Sequence, residues 1–483
     1  MPITMIASRV SKLLLNPGLT KDGLSTIAHI EKSFKSHRSL KHRPSAYSKA
    51  EHVHGKAMTI ASMIAMLVLT PPMAMYMWFI MAKTDGSILK FWQFLQSKES
   101  IMDGLLEAWP SPFSLIAWKI IGAFAAFEAL LQVLLPGKEF VGPVSPAGNR
   151  PVYWCNGFQA YLVSIVTYIF IWRAGWFNPS LVYDNFGSIL SALNVVSFLL
   201  CLFLYAKGNL APCSSDWGSS GNFVQDFFWG MELYPRIGKY FDIKTFTNCR
   251  FGMMSWALLA VTYAIKQGEA NGRVADSMVV SVALMLVYIS KFFYWESGYW
   301  GTMDIQHDRA GYYLCWGCMV WVPCIYTSPA LYLVNHPLEL GTPVALAMFL
   351  SGCACIAINY DSDRQRQYFR STHGRCTIWG RPPAKIEAEY ITEKGENKKS
   401  LLLASGWWGL SRHFHYVPEI LASFFWTFPA LFDNGIQYFY CIYLTVLLLD
   451  RAVRDDVRCK KKYGKFWDKY CNLVPYKVIP GIF

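Results

Sequence analysis

The sequence predicts an all-α, polytopic membrane protein with about ten transmembrane helices. Of its 483 residues, 53% are hydrophobic and only 16% are charged, whereas a soluble domain carries roughly 25% charged residues. The apolar residues also occur in long runs, and residues 57–82 contain no charged side chain. Because a spanning helix needs about 20 predominantly apolar residues, this pattern indicates repeated passage through a bilayer.

Nine or ten such runs follow one another along the chain. They cover residues 57–82, 112–135, 157–172, 189–206, 251–265, 277–295, 311–334, 345–358, 417–432 and 435–449. We therefore divide the chain into residues 57–483, which form the transmembrane domain, and a preceding arm.

The arm, residues 1–56, is polar and basic, with no apolar core of a cleavable signal before residue 57. We expect it to be a disordered cytosolic tail. Further positive charge lies in the segments 359–400 and 450–483, so all three basic regions are expected on the cytosolic side. The net charge of +13 thus indicates topology and attraction to membrane lipid, and nucleic acid is not an expected partner.

Cysteine spacing gives no reason to expect a metal site. The pair Cys315 and Cys318 forms a CxxC, but it lies in an apolar run without a second pair. Structural zinc requires four ligands. No P-loop or GxGxxG pattern is present either, so a bound nucleotide would need a site of another kind.

The first polar cluster lies between two apolar runs, in "YWESGYWGTMDIQHDRAG" (294–311). Its titratable residues include Glu296, Asp304, His307 and Asp308. One interpretation is a solvated loop. The other is a cavity with a general acid, because apolar surroundings raise the pKa of a carboxyl group and let it deliver a proton.

Two further clusters are basic. In "NYDSDRQRQYFR" (359–370) a continuing helix would place Arg366 and Arg370 on one face, where two cations repel unless an anion joins them. A positive-inside flank is the alternative interpretation.

In the tail, helical spacing predicts an aromatic stripe interrupted by Gly464, containing Asp455, Cys459, Tyr463, Phe466 and Tyr470. A basic stripe runs beside it, formed by Arg451, Arg454, Arg458 and Lys462. Such a surface suits a ring joined to phosphates, or an amphipathic helix on the bilayer.

Several long segments resemble the sterol reductase family. They include "LLPGKEFVGPVSPAGNRPVYWCNGFQAYLVS", "DFFWGMELYPRIGKYFDIKTFTNCRFGMMSW", "LLLASGWWGLSRHFHYVPEI" and "KKKYGKFWDKYCNLVPYKVIPGIF". The resemblance runs from about residue 130 to the C-terminus. It is strongest to the branch that reduces the C7–C8 double bond, and "HFHYVPEI" is similar to the plant-type members.

The resemblance implies an NADPH-dependent, multi-pass enzyme of the endoplasmic reticulum that reduces Δ5,7-sterols. It implies a cytosol-facing cofactor pocket within about residues 359–483. The family's nucleotide contacts correspond to Arg366, Arg370, Leu403, Trp408, His415, Tyr416, Asp455, Cys459, Lys460, Lys461, Lys462, Tyr463 and Tyr470. In animal members we expect Lys at position 366 and Asn at position 415, so this chain differs at both.

Within the aromatic stretch 405–420, we expect Trp408 and Tyr416 to flank planar rings, and Arg412 and His413 to supply positive charge near phosphates. Reduction needs a hydride for one alkene carbon and a proton for the other. The candidate proton donors are Glu296, Asp304, His307, Asp308 and Tyr416.

Other functions share parts of this pattern. A Δ14-sterol reductase would use the same cofactor site, and a non-catalytic sterol-binding scaffold or a transporter would share the spans. An isoprenylcysteine-type methyltransferase is much shorter than this chain. A sterol isomerase is a possible partner in each sterol-reducing case.

Overall fold

The computed structural model describes residues 56–483, apart from residue 146, residues 239–240 and residues 392–396. The predicted N-terminal arm therefore lies outside the described residues, except for Lys56, at which the first helix begins.

Within these described residues, seven helical segments are long and apolar enough to cross a membrane. They are Thr59–Lys83, Leu115–Leu134, Phe186–Leu210, Asp276–Tyr294, Tyr312–Asn335, Thr342–Ser371 and Ile436–Tyr463. At 1.5 Å per residue, 20 helical residues extend about 30 Å, the thickness of the hydrocarbon core. The predicted polytopic, mainly helical membrane fold is confirmed, whereas a count of about ten spans is not.

The three remaining apolar runs form helical segments that are too short or too polar at one end to count as membrane spans. Residues 157–172 lie in a helix of 17 residues, Gly157–Arg173, and residues 417–432 begin with a helix of only 12 residues, Tyr416–Thr427. The run 251–265 begins inside a π-helix, Phe246–Met253, and continues into an 18-residue helix with a polar last turn, Met254–Asn271.

The helices take the following order. They are α1 Lys56–Lys83, α2 Ile88–Gln96, α3 Ile101–Glu107, α4 Leu115–Leu134, α5 Gly157–Arg173, α6 Ser180–Asp184, α7 Phe186–Leu210, α8 Phe223–Trp229, α9 Ile243–Thr245, α10 Met254–Asn271, α11 Asp276–Tyr294, α12 Glu296–Tyr299, α13 Met303–Gln306, α14 Tyr312–Trp316, α15 Ser328–Asn335, α16 Thr342–Ser371, α17 Trp407–Leu410, α18 Tyr416–Thr427, α19 Phe439–Tyr463 and α20 Lys465–Leu473. A second π-helix, Gly317–Tyr326, joins α14 to α15.

In the described part of the chain, three short antiparallel hairpins interrupt this helical order. Their strands are β1 Lys138–Val141 with β2 Val152–Cys155, β3 Arg236–Ile237 with β4 Phe241–Asp242, and β5 Lys385–Ile391 with β6 Asn397–Leu403. The last hairpin pairs seven residues on each strand and lies in a segment for which the sequence predicted only a basic loop. Ala388 and Leu402 are buried on one face and Leu403 on the other, whereas Lys398 and Lys399 are exposed.

The polar connections gather in one layer at one end of the helices, which we call the polar layer. It comprises the described residues of the segments 138–155, 211–250, 295–311, 359–416 and 450–483. Long-range contacts join these segments, among them Ser145 to Asp216 at 2.6 Å, Arg309 to the Gly218 carbonyl at 2.7 Å, and Arg451 to Asp304 at 3.0 Å. The layer brings together the three polar clusters that the sequence separates.

Candidate active site

The last turns of α16 carry the two arginines that the sequence predicted on one helix face. Because α16 continues to Ser371, Arg366 and Arg370 are four residues apart on its surface. The Arg366 guanidinium lies 4.7 Å from the centre of the Trp408 ring. Neither arginine forms an ion pair with another described residue, so both charges are available to an anion.

Trp408 is fixed as the wall against which Arg366 packs. Its side chain is buried, and its indole Nε1 donates to the Ser362 carbonyl at 2.8 Å. It belongs to a small hydrophobic cluster with Phe369, Ile378 and Leu403. The β5–β6 hairpin and α16 therefore hold this ring in one orientation.

Two histidines and Tyr416 continue the aromatic surface from Trp408. The ring centres of Trp408 and His415 are 4.9 Å apart, and those of His413 and Tyr416 are 5.2 Å apart and nearly parallel. Nε2 of His413 and Nδ1 of His415 are buried and lack a hydrogen-bond partner among the described residues. These two nitrogens therefore have hydrogen-bonding capacity left for a polar ligand.

Both histidines are held in the neutral form. Burial, followed by the effect of the neighbouring His415 ring, lowers the pKa of His413 to about 3. Burial followed by the Arg366 charge lowers the pKa of His415 to about 3. A neutral imidazole can accept a hydrogen bond on one nitrogen, which fits an uncharged polar group as well as a phosphate oxygen.

Arg412, predicted to meet a phosphate, instead binds the C-terminal tail. Its Nη1 atom donates to the carbonyls of Val474 at 2.8 Å and Pro475 at 2.9 Å, and its Nη2 atom lies 3.4 Å from Asp456. The Ser411 hydroxyl donates to the Val478 carbonyl at 2.6 Å. These contacts tie the tail against the loop that presents His413 and His415.

The far side of the cluster comes from α19. Asp455 accepts a hydrogen bond from Arg458 at 2.7 Å, and its Oδ2 atom lies 3.7 Å from Nε2 of His413 and 3.6 Å from the Cys459 sulfur. The helix ends at Tyr463, and α20 begins after Gly464, which has a positive φ of 52°. The predicted interruption of the aromatic stripe at Gly464 is thus confirmed.

The remaining predicted cofactor residues lie behind or beside this surface. The Tyr470 hydroxyl donates to the Leu403 carbonyl at 2.9 Å, and Tyr463 is buried under the hairpin. Lys462 stacks on the ring of Tyr390 at 4.3 Å, whereas Lys460 pairs with Asp468. For Lys461 the structure gives an exposed position.

Among the candidate proton donors, Asp304 and Tyr416 come together. Asp304 forms an ion pair with Arg451 at 3.0 Å. Arg451, Asp455, Arg366 and Asp304 are all close enough to the Tyr416 hydroxyl to act on it electrostatically. The segment 294–311 and the start of α18 therefore contribute to one site.

His307 and Asp308 lie at the edge of this site. Burial of the ring lowers the pKa of His307 to about 4, and the positive charges of Arg458 and Lys462 contribute to the same shift. The Asp308 carbonyl accepts a hydrogen bond from the fully buried Lys244, which also binds the Ile305 carbonyl at 2.9 Å. Lys244 thereby fixes the backbone that follows Asp304.

Glu296 has a different environment. It forms a sealed ion pair with Arg250 at 2.5 Å, and both side chains are completely buried. The Glu296 carboxylate also accepts the Gly157 amide at 2.9 Å, and Arg250 donates to the Asn156 side chain at 2.9 Å. Its contacts are with α5 and the first π-helix, and none is with the cluster around Trp408.

The sequence reasoning missed a polar chain that leads from His415 into the helix bundle. The Asn359 side chain donates to the His415 carbonyl at 2.9 Å and accepts from Lys291 at 2.6 Å. Lys291 in turn lies 4.8 Å from the ring centre of Tyr288, whose hydroxyl donates to Glu419. Lys291 and Glu419 are isolated charges in apolar runs, and that was the available signal. Within the described part of the chain, no group of three or more potential metal ligands gathers.

Comparison with known proteins gives a consistent result. Residues 46–483 match the Ergosterol biosynthesis ERG4/ERG24 family. 7-dehydrocholesterol reductase of Arabidopsis thaliana is 62% identical over 434 residues, covering 90% of this chain and 100% of that protein. 7-dehydrocholesterol reductase of Xenopus laevis is 39% identical, covering 76% and 80%. Delta(14)-sterol reductase of Methylotuvimicrobium alcaliphilum is 33% identical, covering 87% and 95%.

Proposed function

The chain belongs to the ERG4/ERG24 sterol reductase family, and from this premise we propose that it reduces the C7–C8 double bond of Δ5,7-sterols with NADPH. The full-length similarity to the plant 7-dehydrocholesterol reductase supports the C7–C8 bond. Reduction of a Δ14 bond is the alternative, because a Δ14-sterol reductase is also a relative at lower identity.

The observation that carries the proposal is the unpaired arginine pair beside an aromatic wall. Two like charges four residues apart destabilise a helix by about 0.2–0.5 kcal/mol, and phosphate oxygens remove that repulsion through charge-assisted hydrogen bonds. Arg366 and Arg370 fit the phosphates of NADPH, while Trp408, His413 and His415 offer rings and buried unpaired nitrogens to its planar, polar groups.

The other predicted contact residues then divide by role. Leu403, Tyr463 and Tyr470 support the surface from beneath, and Arg412 anchors the tail that completes it. Asp455 aligns His413 and Cys459. Bound NADPH supplies the hydride for one alkene carbon.

Tyr416 is the proton donor that the contacts favour. His307 is neutral at physiological pH because its pKa is about 4, and Asp304 is engaged with Arg451. Glu296 is enclosed with Arg250. The Tyr416 hydroxyl carries a proton at neutral pH, and Arg451 nearby stabilises the phenolate that forms when the proton moves to the sterol carbon.

The test is expression in a microbial host that accumulates Δ5,7-sterols, followed by the ultraviolet absorbance of the conjugated diene. We expect the wild type to remove the diene and Arg370→Ala to raise the KM for NADPH about 10- to 100-fold, the loss typical of hydrogen bonds to charged groups. Arg364→Ala is the matched control, because Arg364 lies on the same helix and pairs only with Asp361.

Two results would contradict this proposal. A folded wild type that leaves the Δ5,7-diene intact but consumes a Δ14-sterol would favour the alternative function. If Arg370→Ala and Arg364→Ala keep the same KM for NADPH, the arginine pair does not bind the cofactor.

The proposed function also predicts the membrane in which the protein resides and one protein partner. We expect the endoplasmic reticulum membrane, where sterol synthesis enzymes reside, and a sterol isomerase as a neighbouring partner. Cell fractionation and co-purification of the full chain from a native membrane test both expectations.

A further inference from the structure

A second polar pair, Glu419 and Tyr288, lies away from the arginine pair, where α18 packs against α11. Glu419, in α18, accepts a hydrogen bond from the Tyr288 hydroxyl of the spanning helix α11. Both side chains are only half-buried although helices surround them. The pair therefore keeps some accessible surface at the contact between α11 and α18.

Aromatic rings pack around the side chain of Tyr288. Trp256 and Trp426 lie 5.6 Å and 5.3 Å from the Tyr288 ring centre, and Tyr326 and Tyr440 complete a cluster that we call the aromatic box. The indole nitrogens of Trp256 and Trp426 are buried and lack an acceptor among the described residues. The box therefore packs closed, buried rings against the Tyr288 and Glu419 pair and leaves two indole N–H groups without an acceptor among the described residues.

A carboxylate at this position needs an explanation. Ionisable groups next to spanning helices are costly, and they normally face a cavity and serve a ligand or a partner. The hydrogen bond from Tyr288 satisfies one oxygen of Glu419. Lys291, the nearby cation, is committed to the Asn359 side chain at 2.6 Å and does not pair with Glu419.

We propose that Glu419, oriented by Tyr288, accepts a hydrogen bond from the 3β-hydroxyl group of the sterol. This inference rests on the proposed sterol reductase function and adds the group that orients the substrate. Tyr416 and Glu419 are three residues apart on one face of α18, which separates them by about 4.5 Å along the axis. Ring A of a sterol carries the hydroxyl and adjoins ring B, which carries the diene, so this spacing brings ring B to Tyr416.

The experiment compares two substrates in purified protein. One is a Δ5,7-sterol with its 3β-hydroxyl, and the other is the same diene without that hydroxyl. For the wild type we expect kcat/KM to be about 10- to 100-fold higher with the hydroxyl, the range for a hydrogen bond to a charged group. Glu419→Leu should remove most of that preference by raising KM for the hydroxysterol, with a smaller change in kcat.

Two further variants keep the test decisive. Tyr288→Phe retains the ring and its packing, so it should fold and lose part of the preference even where Glu419→Leu does not accumulate. Glu339→Gln is the control, since Glu339 is half exposed and pairs with Arg273. Quenching of tryptophan fluorescence by each steroid measures binding preference independently of turnover.

The outcomes separate this inference from the proposed function. A wild type that reduces or binds both dienes equally overturns the hydroxyl contact and leaves the reductase proposal standing. An equal loss of kcat for both dienes in Glu419→Leu, with KM unchanged, assigns Glu419 to the chemistry and also overturns it. A wild type that binds the hydroxysterol preferentially but reduces neither diene supports the contact and contradicts the proposed reaction.

Discussion

The buried pair of Glu296 and Arg250 offers a decisive test of the role of Glu296. Both side chains are fully enclosed, and the pair contacts only the Gly157 amide and the Asn156 side chain among the described hydrogen-bond partners. Replacing Glu296 by Gln leaves the Arg250 charge buried without a counter-ion. Breaking such a pair costs about 3–5 kcal/mol, a large part of the roughly 5–15 kcal/mol that stabilises a domain.

A double variant distinguishes a structural role of Glu296 from proton donation. We expect Glu296→Gln to lower the unfolding temperature and the yield of monodisperse protein, and Glu296→Gln with Arg250→Met to restore most of both. Replacing a buried ion pair by uncharged groups is often neutral, and the Gln carbonyl can still accept the Gly157 amide. Sterol reduction per folded molecule should then return as well.

The assay combines thermal unfolding in detergent with loss of the conjugated-diene absorbance. The control is the exposed pair of Arg273 and Glu339 at the opposite end, whose corresponding double variant should behave as wild type. A double Glu296 and Arg250 variant that is stable but inactive would refute the structural interpretation and return Glu296 to the proton donors.

Two more predictions concern the loop 411–415. Arg412→Ala removes two hydrogen bonds to the tail carbonyls and should cost about 2–4 kcal/mol; limited proteolysis should then cleave the tail faster, and unchanged protection would contradict the clamp. For His413 and His415 the folded pKa of about 3 lies below the unfolded value of about 6.5. The unfolded state binds more protons in this interval, so stability is lost as pH falls below about 6.5, by about 1.4 kcal/mol for each histidine at pH 5.5. Unfolding of the wild type and of His413→Asn, His415→Asn at pH 7.5 and 5.5 checks this, and equal pH slopes would contradict it.

The apolar runs predicted the membrane class because burial in lipid constrains composition directly. The number of spans was harder to predict, because a run shows that a segment is buried but not whether lipid or protein surrounds it. The run 417–432 illustrates this: its helix is only 12 residues long and packs between α11, α16 and α19. The same reasoning missed the β5–β6 hairpin. Its first strand, KIEAEYI, alternates charged and apolar residues as a half-buried strand does, but the segment was interpreted by its charge alone.

Within the site, local spacing predicted what one helix determines. Arg366 and Arg370 share a face because α16 continues, and the aromatic stripe breaks where Gly464 adopts a positive φ. Partners distant in the chain were not predictable in this way. Arg250 meets Glu296, and Arg451 meets Asp304, only because the polar layer folds, so the sequence could not separate an enclosed carboxylate from one beside Tyr416.

These long-range partners also change how the positive charge of the chain is interpreted. A net charge of +13 describes every cation alike, whereas the folded polar layer divides them by what they already bind. Arg250 and Arg451 neutralise carboxylates, and Arg412 binds Asp456 and carbonyl groups of the tail. Arg366 and Arg370 have no such partner in the described part of the chain, and Arg366 keeps its guanidinium on an aromatic ring. Two like charges four residues apart repel each other, so their placement beside buried, unpaired histidine nitrogens supports an anionic ligand more strongly than the net charge does.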